Sequence, residues 1–298
     1  MLARARTSAS ARTVRGEFVD IGDRRLRIVR VGARSARPTI VCEHGAFGCA
    51  ADWAVVQARL AGKGLHSLAY DRAGLGWSDP GPRPRDGRNI AKDLEALLDA
   101  AEEPGPFVLV GHSMGGLFVR QFAMRNPDTV LGVVLVDAAT PEASDNPVFG
   151  RGVEAYRMGM QLVGASAFTG YMRPLAMFMG DSIGLPKQIS KEKRRIWGSS
   201  RHVRWSAQEV WNWPNSARQA REAGVYDKAM PVAVVTAGSL HEAPVLKAIQ
   251  AAPAAASAHG YVEHVAHCNH ASLLGEKFAD PVVRGVEYVL AASRVEDW

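Results

Sequence analysis

Three cysteines in 298 residues, Cys42, Cys49 and Cys268, are too few and too irregularly spaced for a disulfide framework or a zinc site. Their scarcity fits a reducing compartment, so a cytoplasmic location is expected. No apolar run reaches the roughly 18 residues that a membrane span needs. The longest, over 130–136, has the length of a core strand, and stable membrane insertion is not expected. The first 14 residues carry Arg4, Arg6 and Arg12 and no acidic side chain. No apolar h-region follows them, so they read as a disordered basic tail and not as an export signal. Internal repeats and nucleic-acid-binding motifs are also lacking. The net charge of +6 gathers partly in Lys187, Lys191, Lys193, Arg194, Arg195, Arg201 and Arg204. Glu192 interrupts that run, which reads as a solvated helix face and not as a nucleic-acid surface.

What is present is enough apolar residue, 47% of the chain, to bury a sizeable core. Residues 17–21 and 26–31, joined by Gly22-Asp23-Arg24-Arg25, read as an antiparallel hairpin. Beyond them, apolar runs at 39–41, 65–70, 107–110, 130–136, 232–236 and 261–265 have strand character. Helical periodicity at 50–60, 89–101, 115–125, 244–251 and 280–292 alternates with them. That alternation predicts a mostly parallel sheet with helices on both faces. It breaks between 140 and 225, a segment rich in Met, Trp and Arg with helix-like stretches at 153–163, 190–199 and 206–211. The expected organisation is a core over 15–139 and 226–298, with 140–225 as a helical insertion.

The densest chemical signal is Gly111-His112-Ser113-Met114-Gly115, placed between a buried-strand run and a helical pattern. A serine between glycines at a strand-to-helix turn is a nucleophile elbow, because the sharp turn leaves no room for a Cβ on either flank. It sets the Ser113 hydroxyl at a helix N-terminus, where negative charge is favoured.

A serine needs a histidine to take its proton and an acid to orient that histidine. Of the nine histidines, His267 and His270 follow the last strand, and His270 stands far enough past it for a loop to reach back over Ser113. His267 reads as a packing neighbour, and His44 and His112 as structural or site-lining. Two carboxylates compete for the acid: Asp137, directly after run 130–136, and Glu242, in the loop after run 232–236. Asp137 is preferred, with Glu242 open. The loop Glu43-His44-Gly45-Ala46-Phe47-Gly48 can aim the Ala46 N–H at a developing oxyanion, and the Met114 N–H supplies a second donor.

Taken in order, His44-Gly45, Tyr70-Asp71-Arg72-Ala73-Gly74-Leu75-Gly76-Trp77-Ser78, the Ser113 elbow and His270-Ala271-Ser272-Leu273 resemble the α/β-hydrolase superfamily, and within it the cap-bearing, serine esterase-like members. The resemblance implies the α/β-hydrolase fold, with 140–225 as cap and the Asp71-Arg72 segment as a structural loop. Many members carry a Gly-x-x-Asp acid after the seventh strand. Here Gly238-Ser239-Leu240-His241 has histidine in that place, and the after-sixth-strand alternative used by some members falls on Asp137.

The expected function is hydrolysis of a carboxylic ester or related acyl bond in a small, partly apolar substrate, by Ser113, His270 and Asp137 with Ala46 and Met114 as backbone donors. No metal or organic cofactor is implied. The scaffold also supports C–C bond hydrolysis, lyase and perhydrolase chemistry, or a ligand receptor without activity. Met158, Met160, Met172, Met177 and Met179, with Phe168, Tyr171 and Phe178, suggest an apolar, adaptable lid.

Overall fold

The computed structural model describes residues 14–34, 38–103, 105–178, 181–239, 241 and 243–293. The basic tail therefore lies outside the described residues, apart from position 14. Glu242 and Met179 lie outside them too, as do the side chains of Met177 and Phe178.

Eight strands form one sheet: β1 (Glu17–Asp20), β2 (Arg25–Val31), β3 (Thr39–Glu43), β4 (Ser67–Tyr70), β5 (Phe107–His112), β6 (Val130–Val136), β7 (Val232–Ala237) and β8 (Gly260–Val265). Their order is β1-β2-β4-β3-β5-β6-β7-β8. The β1–β2 hairpin and the β2–β4 pairing are antiparallel. The pairings from β4 through β8 are parallel. This is the expected sheet. The core helices are α1 (Ala54–Gly62), α2 (Gly87–Ala100) and α3 (Gly115–Arg125), and, after the insertion described below, α10 (Pro244–Ala256) and α11 (Asp280–Ala292). Two patterns differ in detail. The helix expected from 50 opens as a 3-10 turn, Ala50–Trp53, and the one expected to end at 251 runs through Pro253 to Ala256.

Strand periodicity divides the core. Val108, Val110, Val134 and Val136 join the cluster under α1 and α11, whereas Phe107, Leu109, Val133 and Leu135 join the one under α2 and α3. Each central strand is buried on both faces, which is why its sequence is an unbroken apolar run. Chain connections leave β3 toward β4 on one side and β5 toward β6 on the other. The crevice at the carboxyl ends of β3 and β5 is thus the switch point where open α/β sheets bind ligands.

Between β6 and β7 lie α4 (Pro141–Asp145), α5 (Pro147–Ser166), α6 (Met172–Phe178), α7 (Lys187–Trp197), α8 (Ser200–Trp211) and α9 (Trp213–Glu222). Their inner apolar residues, among them Val203, Ala207, Val210 and Trp213, share a cluster with Phe47, Met114, Leu117 and Phe118 of the core. Two expectations for this segment need correction. Glu192 is not a solvated interruption of a charge run: it is buried against Arg27, a second contact reaches Arg15 at 3.6 Å, and the neighbouring Lys193 ammonium lies 2.5 Å from Asp52. The Met–aromatic series does not form a common inner wall either. Met160 and Tyr171 pack inward, but Met158 faces solvent because α5 buries its other face against α8, and Phe168, in the 3-10 turn Ala167–Thr169 after α5, is 75% exposed.

Candidate active site

β5 ends at His112 and α3 begins at Gly115, so the chain turns from strand to helix within two residues. Ser113 makes the turn at φ 54°, a left-handed conformation costing about 1–3 kcal/mol. Three backbone bonds hold it there. Its N–H donates to the Val136 carbonyl at 3.1 Å, and its own carbonyl accepts from Gly116 at 3.0 Å and Ala139 at 2.8 Å. A Cβ on Gly115 would lie 2.6 Å from the Glu43 carbonyl oxygen, and one on Gly111 would lie 3.0 Å from that of Gly115. The flanking glycines are thus required by close backbone approach.

Asp137 sits one residue past β6 at φ 41°, its N–H donating to the Val235 carbonyl at 2.7 Å. Its Oδ2 lies 2.5 Å from His270 Nδ1, and its Oδ1 accepts from the Ala237 N–H at 3.3 Å and Gln250 Nε2 at 3.2 Å. Burial works to raise the Asp137 carboxyl. The hydrogen bond and charge of His270 and the Ala237 N–H outweigh it and hold the group below its ordinary value. With Nδ1–H engaged by the carboxylate, His270 presents Nε2 as the available base. His112 braces this loop: its Nε2 donates to the His270 carbonyl at 3.0 Å, and the two rings lie 4.5 Å apart. Burial, followed by the His270 charge, pulls His112 down to about 3, so it stays neutral. His267, expected to pack beside the site, is instead an exposed turn residue at φ 61°.

The loop after β3 is fixed by Arg72. This buried guanidinium donates to the His44 carbonyl at 2.6 Å, the Gly45 carbonyl at 3.0 Å and Glu209 of α8 at 2.7 Å, and it also pairs with Glu43. With those carbonyls turned toward Arg72, the N–H groups of Ala46 and Met114 have no acceptor among the described residues. Gly45 is pressed against the elbow: a Cβ there would stand 2.8 Å from Ser113 Cβ.

Five of the six non-glycine residues with positive φ among those described, Phe47, Ser113, Asp137, Ala243 and His267, lie in loops at this edge of the sheet. Strain is concentrated where the site is built. Ser113, Asp137 and His270 line one cavity of about 420 Å³, together with Ala138, Ala139, Ala143, Phe149, Trp213, Ala237, Ala243, Leu246, Lys247 and Gln250. Sequence reasoning missed Lys247 and Gln250. Their signal was two polar residues three apart in a helix otherwise made of Ala, Val, Leu, Ile and Pro, which puts both on one face. Among the described residues no group of His, Cys, Asp and Glu is placed to hold a metal ion.

A family model for the alpha/beta hydrolase fold matches residues 38–165, which takes in β3, the elbow and β6. The chain has the α/β-hydrolase fold. Relatives of this chain include an uncharacterized protein of Schizosaccharomyces pombe, 28% identical over 174 residues that make up 57% of this chain and 31% of the other. The chain spans less than a third of the length of the first curated relatives it matches. Among solved structures it resembles a thermophilic esterase from Thermogutta terrifontis, with TM-score 0.65 at 17% identity over 94% of this chain and 99% of that one. It resembles the epoxide hydrolase CorEH equally well, with TM-score 0.65 at 19% identity over 92% and 98%. These likenesses show the fold. No described helix is long and apolar enough to cross a membrane.

Proposed function

We propose that this α/β hydrolase is a serine esterase that cleaves a carboxylic ester, or a related acyl bond, of a small and partly apolar substrate. The observation that carries the reading is the 2.5 Å contact of His270 Nδ1 with Asp137 in a cavity that Ser113 also lines. Ser113 Oγ attacks the carbonyl carbon while His270 Nε2 takes its proton, and the charge on the carbonyl oxygen is met by the N–H groups of Ala46 and Met114. The tetrahedral adduct collapses, the C–O bond to the alcohol breaks, and His270 returns the proton to the leaving oxygen. Water, deprotonated by His270, then attacks the acyl-enzyme and releases the acid with Ser113 restored. Asp137 keeps the imidazole in the Nδ1–H tautomer and stabilises the imidazolium that forms twice per cycle. The helices over 140–225 act as the cap, contributing Ala143, Phe149 and Trp213 to the cavity wall.

The test is labelling with a fluorophosphonate probe. The expected result is stoichiometric modification of the wild-type chain at Ser113, abolished in S113A and strongly slowed in H270A. An unlabelled wild-type protein of native circular dichroism would remove the activated-serine reading.

A further inference from the structure

Lys247 is a buried ionisable group of the cavity that this mechanism leaves without a task. It is 4% exposed, projects from the first turns of α10, and lines the same space as Ser113 and His270. Its ammonium donates to Thr236 Oγ1 at 3.2 Å and to the Ala237 carbonyl, both neutral acceptors. No carboxylate among the described residues pairs with it. A buried ammonium held only by neutral groups is costly, and the electrostatic demand is met when an anion arrives beside it. Its field already reaches its neighbours: His264, which shares a hydrogen with Thr236 Oγ1 at 2.6 Å, is held below the ordinary imidazole range by burial and then by the Lys247 charge.

Two more features of the cavity agree. Trp213 is 6% exposed, and its indole Nε1–H is buried without an acceptor among the described residues. Gln250, one turn after Lys247, spends one amide N–H on Asp137 and keeps the other. The wall around these donors is apolar: Phe149, Leu246 and five alanines within a space suited to a few carbon atoms.

We infer that the cavity takes an ester carrying a second, anionic carboxylate, with Lys247 as its counter-ion and the indole and amide N–H groups of Trp213 and Gln250 as supporting donors. This rests on the proposed esterase reading, and it names the substrate class for that site: hemiesters of short dicarboxylic acids, or esters of a similarly charged small acid. The position is one where an anion gains a desolvated charge partner, while a neutral isostere leaves the lysine as it was.

The experiment compares 4-nitrophenyl hemiglutarate with its neutral isostere 4-nitrophenyl 5-methylhexanoate. The expected ratio of kcat/KM, anionic over neutral, is about tenfold or more in wild type, falling toward one in K247M and recovering in part in K247R. K247E should invert the preference. A wild-type ratio at or below one, or a ratio unchanged in well-folded K247M, would overturn the assignment. A second measurement separates this from failure of the catalytic reading. In S113A, which cannot turn over ester, glutarate should raise Tm in a salt-sensitive manner, and the rise should vanish in S113A/K247M. The absence of any glutarate-dependent shift in S113A also overturns it. Binding with no ester turnover by wild type would instead leave the anion site standing and remove the esterase.

Discussion

His270 Nδ1 stands 2.5 Å from Asp137 Oδ2, joining the loop after β8 to the end of β6 across 133 positions of chain. If that contact fixes the tautomer, D137N should lower kcat for an activated ester by about 10⁴-fold while circular dichroism and Tm change little. E242Q, by contrast, should stay within about twofold of wild type. Steady-state rates of both variants decide between the two carboxylates, and the reverse pattern would move the role to Glu242.

His112 braces the proposed base, His270, through its backbone carbonyl and ring face. Because it is held neutral down to about 3, it adds no titration of its own to the activity profile in the neutral range. H112L should therefore lower kcat by up to about a hundredfold through misplacement of His270, with KM altered far less. The acidic limb of the pH–rate profile should keep its midpoint. A shifted midpoint would mean that His112 itself exchanges protons during turnover.

The Gly45 approach to Ser113 predicts a steric phenotype. In G45A the new methyl must displace either the elbow or the Ala46 N–H, since it would begin 2.8 Å from Ser113 Cβ and 3.2 Å from His112 Nδ1. Loss of one oxyanion donor corresponds to a fall of about a hundredfold or more in kcat, read most clearly as slower fluorophosphonate labelling at saturating probe. Labelling at the wild-type rate would show that the loop donor contributes nothing.

Away from the site, Glu103 is fully buried and serves Arg30 at 2.6 Å, Arg34 at 2.8 Å and His66 at 3.4 Å. Burial pushes its carboxyl up, but the bonds from His66 and the two arginines prevail and bring it to about 2. A depressed carboxylate contributes stability that is complete above its ordinary value and is lost as pH falls toward 2. His66 is raised by the same bond, so its share is complete below the ordinary imidazole value and is lost as pH rises through the folded one. E103Q should cost about 3 kcal/mol in urea unfolding at pH 6, with the gap to wild type closing as pH falls from about 4 to 2.

The parts legible in the sequence were those encoded within one element or by chain order. The Ser113 elbow is spelled by five adjacent residues, and the sheet by apolar runs whose length matches buried strands. The placement of Asp137 beside His270 followed from the order of strands, because parallel strands bring their carboxyl ends to one edge. What stayed hidden depended on partners far away in the chain. Glu192 looked like a break in a basic run because Arg27 lies 165 positions away. Phe168 counted toward an apolar lid on residue type alone, whereas which side of the turn after α5 meets the core is fixed only by packing. Lys247 and Gln250 carried a local hint in their spacing, but the cavity they face is assembled from β6, β7 and the insertion.

Arg72 binds both carboxylate oxygens of Glu209 in full burial while gripping the loop after β3. Pulling α8 away would break a fully buried ion pair at several kcal/mol, whereas α4 is tied to the rest by partly exposed ion pairs, Arg120–Glu142 and Arg221–Asp145, worth about 1 kcal/mol or less each. The insertion is thus a doorframe with one fixed jamb. The cheap direction of opening is at the α4–α5 junction, where Ala143 and Phe149 wall the cavity, and a substrate entering there would pass the threshold without loosening the loop that carries the proposed Ala46 donor.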